Sequence, residues 1–206
     1  MGAAVTTRTL RLQRRAVNGY NPRMSVNVVF ETHSTSVDNE NGIATGWREG
    51  ALSTTGREQA KELGERRRDD GLAIVFTSDL RRAVETAEIA FAGSALPVER
   101  DPRLRECNYG SMNGRPRAEL DTQRAQRLDE PWPGGESWRQ AVARVAGFLE
   151  ELRQERDGQR VLVIGHVATR WALDHAALGI PLEELVDAPF EWREGWEYEL
   201  HSEPAP

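Results

Sequence analysis

Three short apolar runs, Val26–Phe30, Leu72–Phe76 and Val161–Ile164, are rich in β-branched residues and do not alternate with polar ones. A strand with one wet face alternates, so such runs belong to strands covered on both sides, the condition of a parallel sheet between helices. Segments of helical period lie between and after them. In "SDLRRAVETAEIAF" the residues Leu80, Val84, Ala87 and Phe91 recur at helical spacing, and Ser78 or Asp79 can cap the start. In "ESWRQAVARVAGFLEEL" the series Trp138, Val142, Val145, Leu149, Leu152 does the same. A third helix covers "STTGREQAKELGERRRDDG", opened by a Ser or Thr cap and closed near Gly71, and a fourth begins just after His166. Near the end, "EGWEYEL" alternates Trp196, Tyr198 and Leu200, as a strand at the sheet edge would. Alternating strands and helices predict an α/β fold with a mostly parallel sheet.

The composition narrows the function classes. No stretch of eighteen apolar residues is present, so no membrane-spanning helix is expected. Cys107 is the single cysteine, which leaves no internal disulfide and no thiolate metal cluster and favours a reducing compartment, with the cytoplasm as the expected location. Lys61 is the single lysine, so a Gly-Lys-Ser/Thr phosphate loop is excluded and any bound anion must be held by arginine or backbone. Residues 1–23 carry five arginines and no acid; removing those cations from a formal charge of −6 leaves the rest of the chain at −11. That basic segment reads as a leader, an over-extended start before Met24, or a targeting segment, and residues 24–206 as one domain. The acidic body argues against a nucleic-acid partner.

The residues just beyond each buried run carry the chemistry. The first run leads into His33, the second into Ser78 and Arg82, the third into Gly165-His166. Ligands of open parallel sheets bind outside the carboxyl ends of the strands, so distant segments deliver two imidazoles and a guanidinium to one edge. Arg81 and Arg82 both fall in the first turn of a helix, where the dipole repels cations. A nearby anion would offset that for Arg82, whereas Arg81 reaches solvent or pairs with Glu85. A neutral imidazole can attack phosphorus, Arg82 and a protonated His166 can hold the transferring oxygens, and a carboxylic acid can protonate the leaving group. Glu106, in "LRECNYG" after the strand-like "LPVERDP", is the candidate acid.

These pieces resemble, in order, the histidine phosphatase superfamily, also called phosphoglycerate mutase-like, over residues 26–180. His33 with Asn39 looks like the nucleophile loop, and "GIATGWREGALSTTGREQA" is similar to the segment after it. "TSDLRRAVETA" resembles the helix start bearing the phosphate arginine, "LRECNYGSMNGRP" the proton-donor segment, and "GGES" with "VLVIGHVATR" completes the set. The resemblance implies a three-layer α/β/α fold, a phosphohistidine intermediate on His33, catalytic roles for Arg82, Glu106 and His166, and no metal or other cofactor. It implies a substrate pocket formed by Thr32, Ser34, Asn39, Thr45, Gly46, Tyr109 and Val167. The expected partner is a small phosphorylated substrate; the oligomeric state is open, a homodimer included. The absence of a long insertion favours a phosphatase over a mutase.

One departure matters. The family loop reads Arg-His-Gly and this chain has Thr32-His33-Ser34. Three explanations stay open. Arg48, Arg105, Arg117 or Arg170 fills the vacancy; or Thr32, Ser34, Thr35 and Ser36 bind a less charged ester; or the domain binds a phosphate ester or a protein without turning it over. Among other features, Glu31 with His33 and His166 could hold zinc, though no ligand-type spacing supports it. Cys107 and His175 read as packing or surface residues, Trp47 and Trp132 as pocket wall or core, and "ERRRDD" as a solvated helix face.

Overall fold

The computed structural model describes residues 25–201. The basic segment 1–23 and Met24 lie outside the described residues. In chain order the strands are β1 (Ser25–Thr32), β2 (Ile43–Ala44), β3 (Ile74–Thr77), β4 (Val98–Arg100), β5 (Arg115–Pro116), β6 (Arg160–Gly165) and β7 (Trp196–His201). The helices are α1 (Val37–Glu40), α2 (Thr54–Arg67), α3 (Arg81–Ala90), α4 (Arg117–Asp121), α5 (Trp138–Glu155), α6 (Val167–Leu178) and α7 (Leu182–Asp187). Five strands form the central sheet in the order β4-β3-β6-β1-β7, while β2 and β5 make a separate two-stranded ribbon.

The sheet is parallel from β4 through β1, and β7 closes its edge antiparallel to β1. Successive residues of the inner strands point to opposite cores. Val28 and Phe30 of β1, with Val161 and Val163 of β6, pack with residues of α5 and α6. Val29, Leu162 and Ile164 pack with Leu63 of α2 and Ala83, Ala87 and Ala90 of α3. The fold is therefore a three-layer α/β/α sandwich, and the absence of alternation in the apolar runs has its cause in two buried faces. In β7 the period of two returns: Trp196, Tyr198 and Leu200 are buried, Glu197 and Glu199 are exposed. Its Trp196 ring lies 5.5 Å from Phe30.

The starts of α2, α3 and α5 show how local chemistry sets a helix end and where it is overridden. Ser137 caps α5 and forms a capping box with Gln140, and Ser53 caps α2 by accepting from the Gly56 N–H at 3.1 Å. Helix α3 begins at Leu80 with no side-chain cap, although Ser78 and Asp79 stand just before it. Both are diverted: Ser78 Oγ lies 2.7 Å from His166 Nε2, and Asp79 accepts from Arg105 Nε at 2.6 Å. Strand β3 starts two residues later than the apolar run, because Gly71 turns with φ of 68° and Leu72 is buried as the chain enters the sheet. The "ERRRDD" run is not simply solvated. Arg67 folds back to donate to the buried Glu31 carboxylate at 2.9 Å, with Arg66 at 3.7 Å.

The start of α2 is pressed onto the loop after β1. Ser53 N–H donates to the Thr35 carbonyl at 3.0 Å, and a Cβ on Gly56 would stand 1.9 Å from that same oxygen. Gly56→Ala should therefore destabilise the protein by about 1–3 kcal/mol by forcing helix and loop apart. Gly147, exposed on α5, has no atom within 4 Å of the point a Cβ would occupy, and Gly147→Ala should by contrast gain about 0.5–1 kcal/mol. Urea denaturation of the two variants measures both signs.

Candidate active site

Parallel pairing brings the strand ends together. Thr32 of β1 is in register with Gly165 of β6, and Thr77 of β3 with Ile164. His33, Ser78 and His166 are thus each one residue past a strand, on one edge. Two backbone bonds fix them there: His33 N–H donates to the Gly165 carbonyl at 3.0 Å and Ser78 N–H to the Ile164 carbonyl at 3.3 Å. Arg82 enters from the first turn of α3. Glu106 comes from the far side, after β4 and a short 3-10 turn at Pro102–Leu104. Its segment is held by Arg144 of α5, which donates to the carbonyls of Arg103 (2.7 Å), Arg105 (3.1 Å) and Glu106 (3.2 Å). The Trp47 indole N–H adds a bond to the Glu106 carbonyl at 2.6 Å.

Arg82 organises the two imidazoles. Its Nε donates to His33 Nε2 at 3.1 Å and its Nη2 to His166 Nδ1 at 3.2 Å and to the Gly46 carbonyl at 3.0 Å. A guanidinium can only donate, so both ring nitrogens must be acceptors. Accordingly His33 carries its proton on Nδ1, donating to the Ser34 carbonyl at 2.8 Å, and His166 carries its proton on Nε2 beside Ser78 Oγ. The rings lie 5.0 Å apart. Burial, then the Arg82 charge, pull His33 down to about 3, and the same causes with His33 added pull His166 well below the usual imidazole value. Without an anion to face, a protonated His166 beside the buried Arg82 cation would be the costlier state.

Glu106 sits on the N-terminus of α6. Its Oε1 accepts from the N–H of Cys107 (2.8 Å) and Ala168 (3.2 Å), and its Oε2 from Val167 N–H (3.3 Å). Those donors and Arg82 favour the anion, yet burial outweighs them and raises the carboxyl above its ordinary range. Burial also pushes the Cys107 thiol up, which leaves it an inert packing group.

These groups open into one cavity of about 260 Å³. Thr32, Asn39, Thr45, Gly46, Tyr109 and Val167 line it together with His33, Arg82, Glu106 and His166. Gly46 adopts φ of 55°, and a Cβ there would lie 1.8 Å from Asn113 Oδ1, so glycine alone fits the turn that aims its carbonyl at Arg82. Ser34 and Ser36 do not line the cavity. Ser34 N–H donates to Thr86 Oγ1 at 3.0 Å, and Ser36 caps α1 through Asn39. Among the described residues, four buried polar atoms of lining residues have no hydrogen-bond partner: Arg82 Nη1, Thr45 Oγ1 and the indole Nε1 of Trp132 and of Trp138.

Of the four arginines that could take the place of the loop arginine, Arg117 alone lines the cavity. Arg105 is paired with Asp79, Arg170 with Asp174 at 3.3 Å, and the Arg48 guanidinium packs over Gly114. Arg124, seven residues beyond Arg117, also lines the cavity, and both approach Asp121 at 3.8 Å. That seven-residue spacing is the signal in the sequence that points to Arg124. Of the further lining residues, Gln59 falls at the end of the "GIATGWREGALSTTGREQA" segment, whereas Trp171, Phe190 and Trp192 come from stretches with no motif. The zinc alternative loses Glu31, whose carboxylate is held by Arg67 and Arg66. Among the described residues no group of three or more His, Cys, Asp or Glu is placed to hold a metal ion.

A cradle of neutral imidazoles, one guanidinium and a carboxyl suits a tetrahedral oxyanion. Comparison with known proteins agrees with that chemistry. The chain is 32% identical over 151 residues to a 2,3-bisphosphoglycerate-dependent phosphoglycerate mutase of Cytophaga hutchinsonii, covering 68% of this chain and 71% of that protein. It is 32% identical over 171 residues to phosphoserine phosphatase 1 of Hydrogenobacter thermophilus, covering 78% and 80%. The solved structure of Bacillus stearothermophilus YhfR superposes with a TM-score of 0.72 at 27% identity, covering 82% of this chain and 88% of that one. The model of the histidine phosphatase superfamily (branch 1) matches residues 29–192, and the chain belongs to that family.

Proposed function

We propose that this protein hydrolyses a small phosphorylated metabolite through a phosphohistidine on His33. The observation that carries the reading is the fixed tautomer of His33: with Nδ1–H given to the Ser34 carbonyl, the lone pair at Nε2 faces Arg82 and the cavity. When a phosphoryl group enters, the Arg82 donors move to its oxygens, with the unpartnered Nη1 free to add a bond. The released Nε2 attacks phosphorus, the phosphorus–oxygen bond of the ester breaks, and Glu106 gives its proton to the leaving oxygen. Water then attacks the phosphorus of phospho-His33, its proton passes to Glu106, and the nitrogen–phosphorus bond breaks to release phosphate. Burial suits Glu106 to the first step because it keeps the carboxyl protonated to higher pH. His166, neutral in the empty site, gains a reason to protonate once the anion is bound, with Ser78 fixing its ring.

Thr32 weakens the oxyanion clamp without removing the chemistry. Only Arg82 among the cations is buried at the imidazoles, and Arg117 and Arg124 share Asp121 at the cavity wall. The named relatives divide between a mutase and a phosphatase; hydrolysis is favoured because no long insertion is present to enclose a transferred group.

Single-turnover incubation with an aryl phosphate at mildly acid pH should leave an acid-labile phosphoryl adduct on the wild type and none on His33→Ala. An adduct that survives His33→Ala would contradict the assignment. The profile of kcat/KM with an alkyl ester should fall as pH rises through the raised Glu106 value, because the acid must be protonated. No acid-side loss from the nucleophile is expected until about 3, where His33 takes a proton. Glu106→Gln should abolish the alkaline limb and cost about 10² to 10⁴ in rate.

Thr32→Arg should tighten competitive inhibition by inorganic phosphate by about tenfold or more, short of the roughly 10³ to 10⁵ in rate that an arginine at an evolved phosphoryl site contributes. Weaker inhibition would mean that another group already fills the space beside Thr32.

A further inference from the structure

Much of the cavity lining beyond the imidazoles and Arg82 is built from aromatic rings. Tyr109, Trp132, Trp138, Trp171, Phe190 and Trp192 all line it, and four of the chain's six tryptophans are among them. They come from four separate parts of the chain: the Glu106 segment, the loop before α5 with the start of that helix, α6, and the segment between α7 and β7. The inner rings brace one another. Trp138 and Trp171 have centroids 4.4 Å apart, and Tyr109 stands edge-on to Trp132 at 5.5 Å and to Trp138 at 5.8 Å. Such a wall is preformed and resists repacking. At the mouth, Trp192 leaves 59% of its surface in water beside the half-buried Phe190.

The rings themselves carry no charge, and the charged groups near them are on the α4 side, where Arg117 and Arg124 share the one Asp121 carboxylate at 3.8 Å and leave one positive charge over. A dry cavity of about 150 Å³ accommodates a benzene ring, so about 260 Å³ is room for a phosphoryl group with one ring or a small fused pair. We propose that the preferred substrates are monophosphate esters whose alcohol part carries an apolar ring, which lies against the Trp138–Trp171 pair and Trp192 while the phosphoryl group meets Arg82. This rests on the hydrolase reading for turnover, but not for binding.

The test separates the two. Isothermal titration with benzylphosphonate, ethylphosphonate and 3-phosphonopropionate, none of which can be hydrolysed, measures ring preference without chemistry. Benzylphosphonate should bind roughly 10- to 100-fold more tightly than either, the order expected for taking an aromatic ring out of water onto other rings. Trp192→Ala, at an exposed position, should reduce that ratio several-fold, and Trp171→Phe should reduce it less. Equal affinities, tighter binding of 3-phosphonopropionate, or a ratio unchanged in both folded variants overturns the inference. Benzyl phosphate and ethyl phosphate share a primary alkyl leaving oxygen, so their kcat/KM ratio should follow the binding ratio. A ring preference in binding with no hydrolysis of either ester would sustain this inference and remove the hydrolase reading; hydrolysis of both with no preference would do the reverse.

Discussion

A buried guanidinium sets the terms for the rest of the molecule. Arg82 is 3% exposed, sits in the first helical turn where the dipole disfavours it, and has no carboxylate within bonding distance. A cation so placed is costly unless every hydrogen finds an acceptor. Three acceptors are supplied by three separate devices: the β1 end supplies His33, the β6 end supplies His166, and the left-handed turn at Gly46 supplies a carbonyl. The parallel register of β1, β3 and β6 is what allows these to converge. The remaining Nη1 stays without a partner, and an anion is the ligand that best completes the set.

From this arrangement come the protonation states. Because Arg82 donates to both rings, both are acceptors and neutral, and His33, the proposed nucleophile, keeps its Nε2 lone pair without a separate base. Glu106 faces the opposite competition, helix N–H groups against desolvation, and desolvation wins. The site thus has one firm positive charge where a second arginine would have given two. On the proposed reading, Thr32 in place of an arginine shifts the balance of recognition away from the phosphoryl end, and the aromatic rings offer binding elsewhere in the cavity. An apolar contribution there raises affinity without demanding more charge at the reacting centre.

Much of this is legible in the chain itself, and for definite reasons. Unbroken runs such as Val161–Ile164 require two covered faces, so the parallel sheet comes from pattern alone, as does the edge strand from the alternation of Trp196, Tyr198 and Leu200. His33 and His166 are readable because each lies directly beyond a buried run, and Arg82 because it lies in the opening turn of the helix that follows one. Other features depend on contacts between distant segments. Ser78 reads as a helix cap, but its hydroxyl serves His166; Arg66 and Arg67 read as solvated, but Glu31 draws them inward. The neutrality of His166 depends on the position of Arg82, which no local pattern gives. The aromatic wall has no signature beyond an abundance of tryptophan, since Trp138 and Trp171 fit equally well as core residues on amphipathic helices. Ser34 and Ser36 look like oxygen binders from proximity to His33, whereas backbone geometry turns one toward Thr86 and makes the other a cap.

The most direct measurement is nitrogen-15 NMR of the two imidazoles in ligand-free protein, titrated from about pH 4 to 8, the range in which an ordinary histidine changes charge. Neutral rings throughout, with the His33 proton on Nδ1 and the His166 proton on Nε2, are the expected result. A His33 ring that titrates near the ordinary imidazole value, or that carries its neutral-state proton on Nε2, would show that Arg82 does not hold the nucleophile ready and would contradict the arrangement on which the chemistry depends.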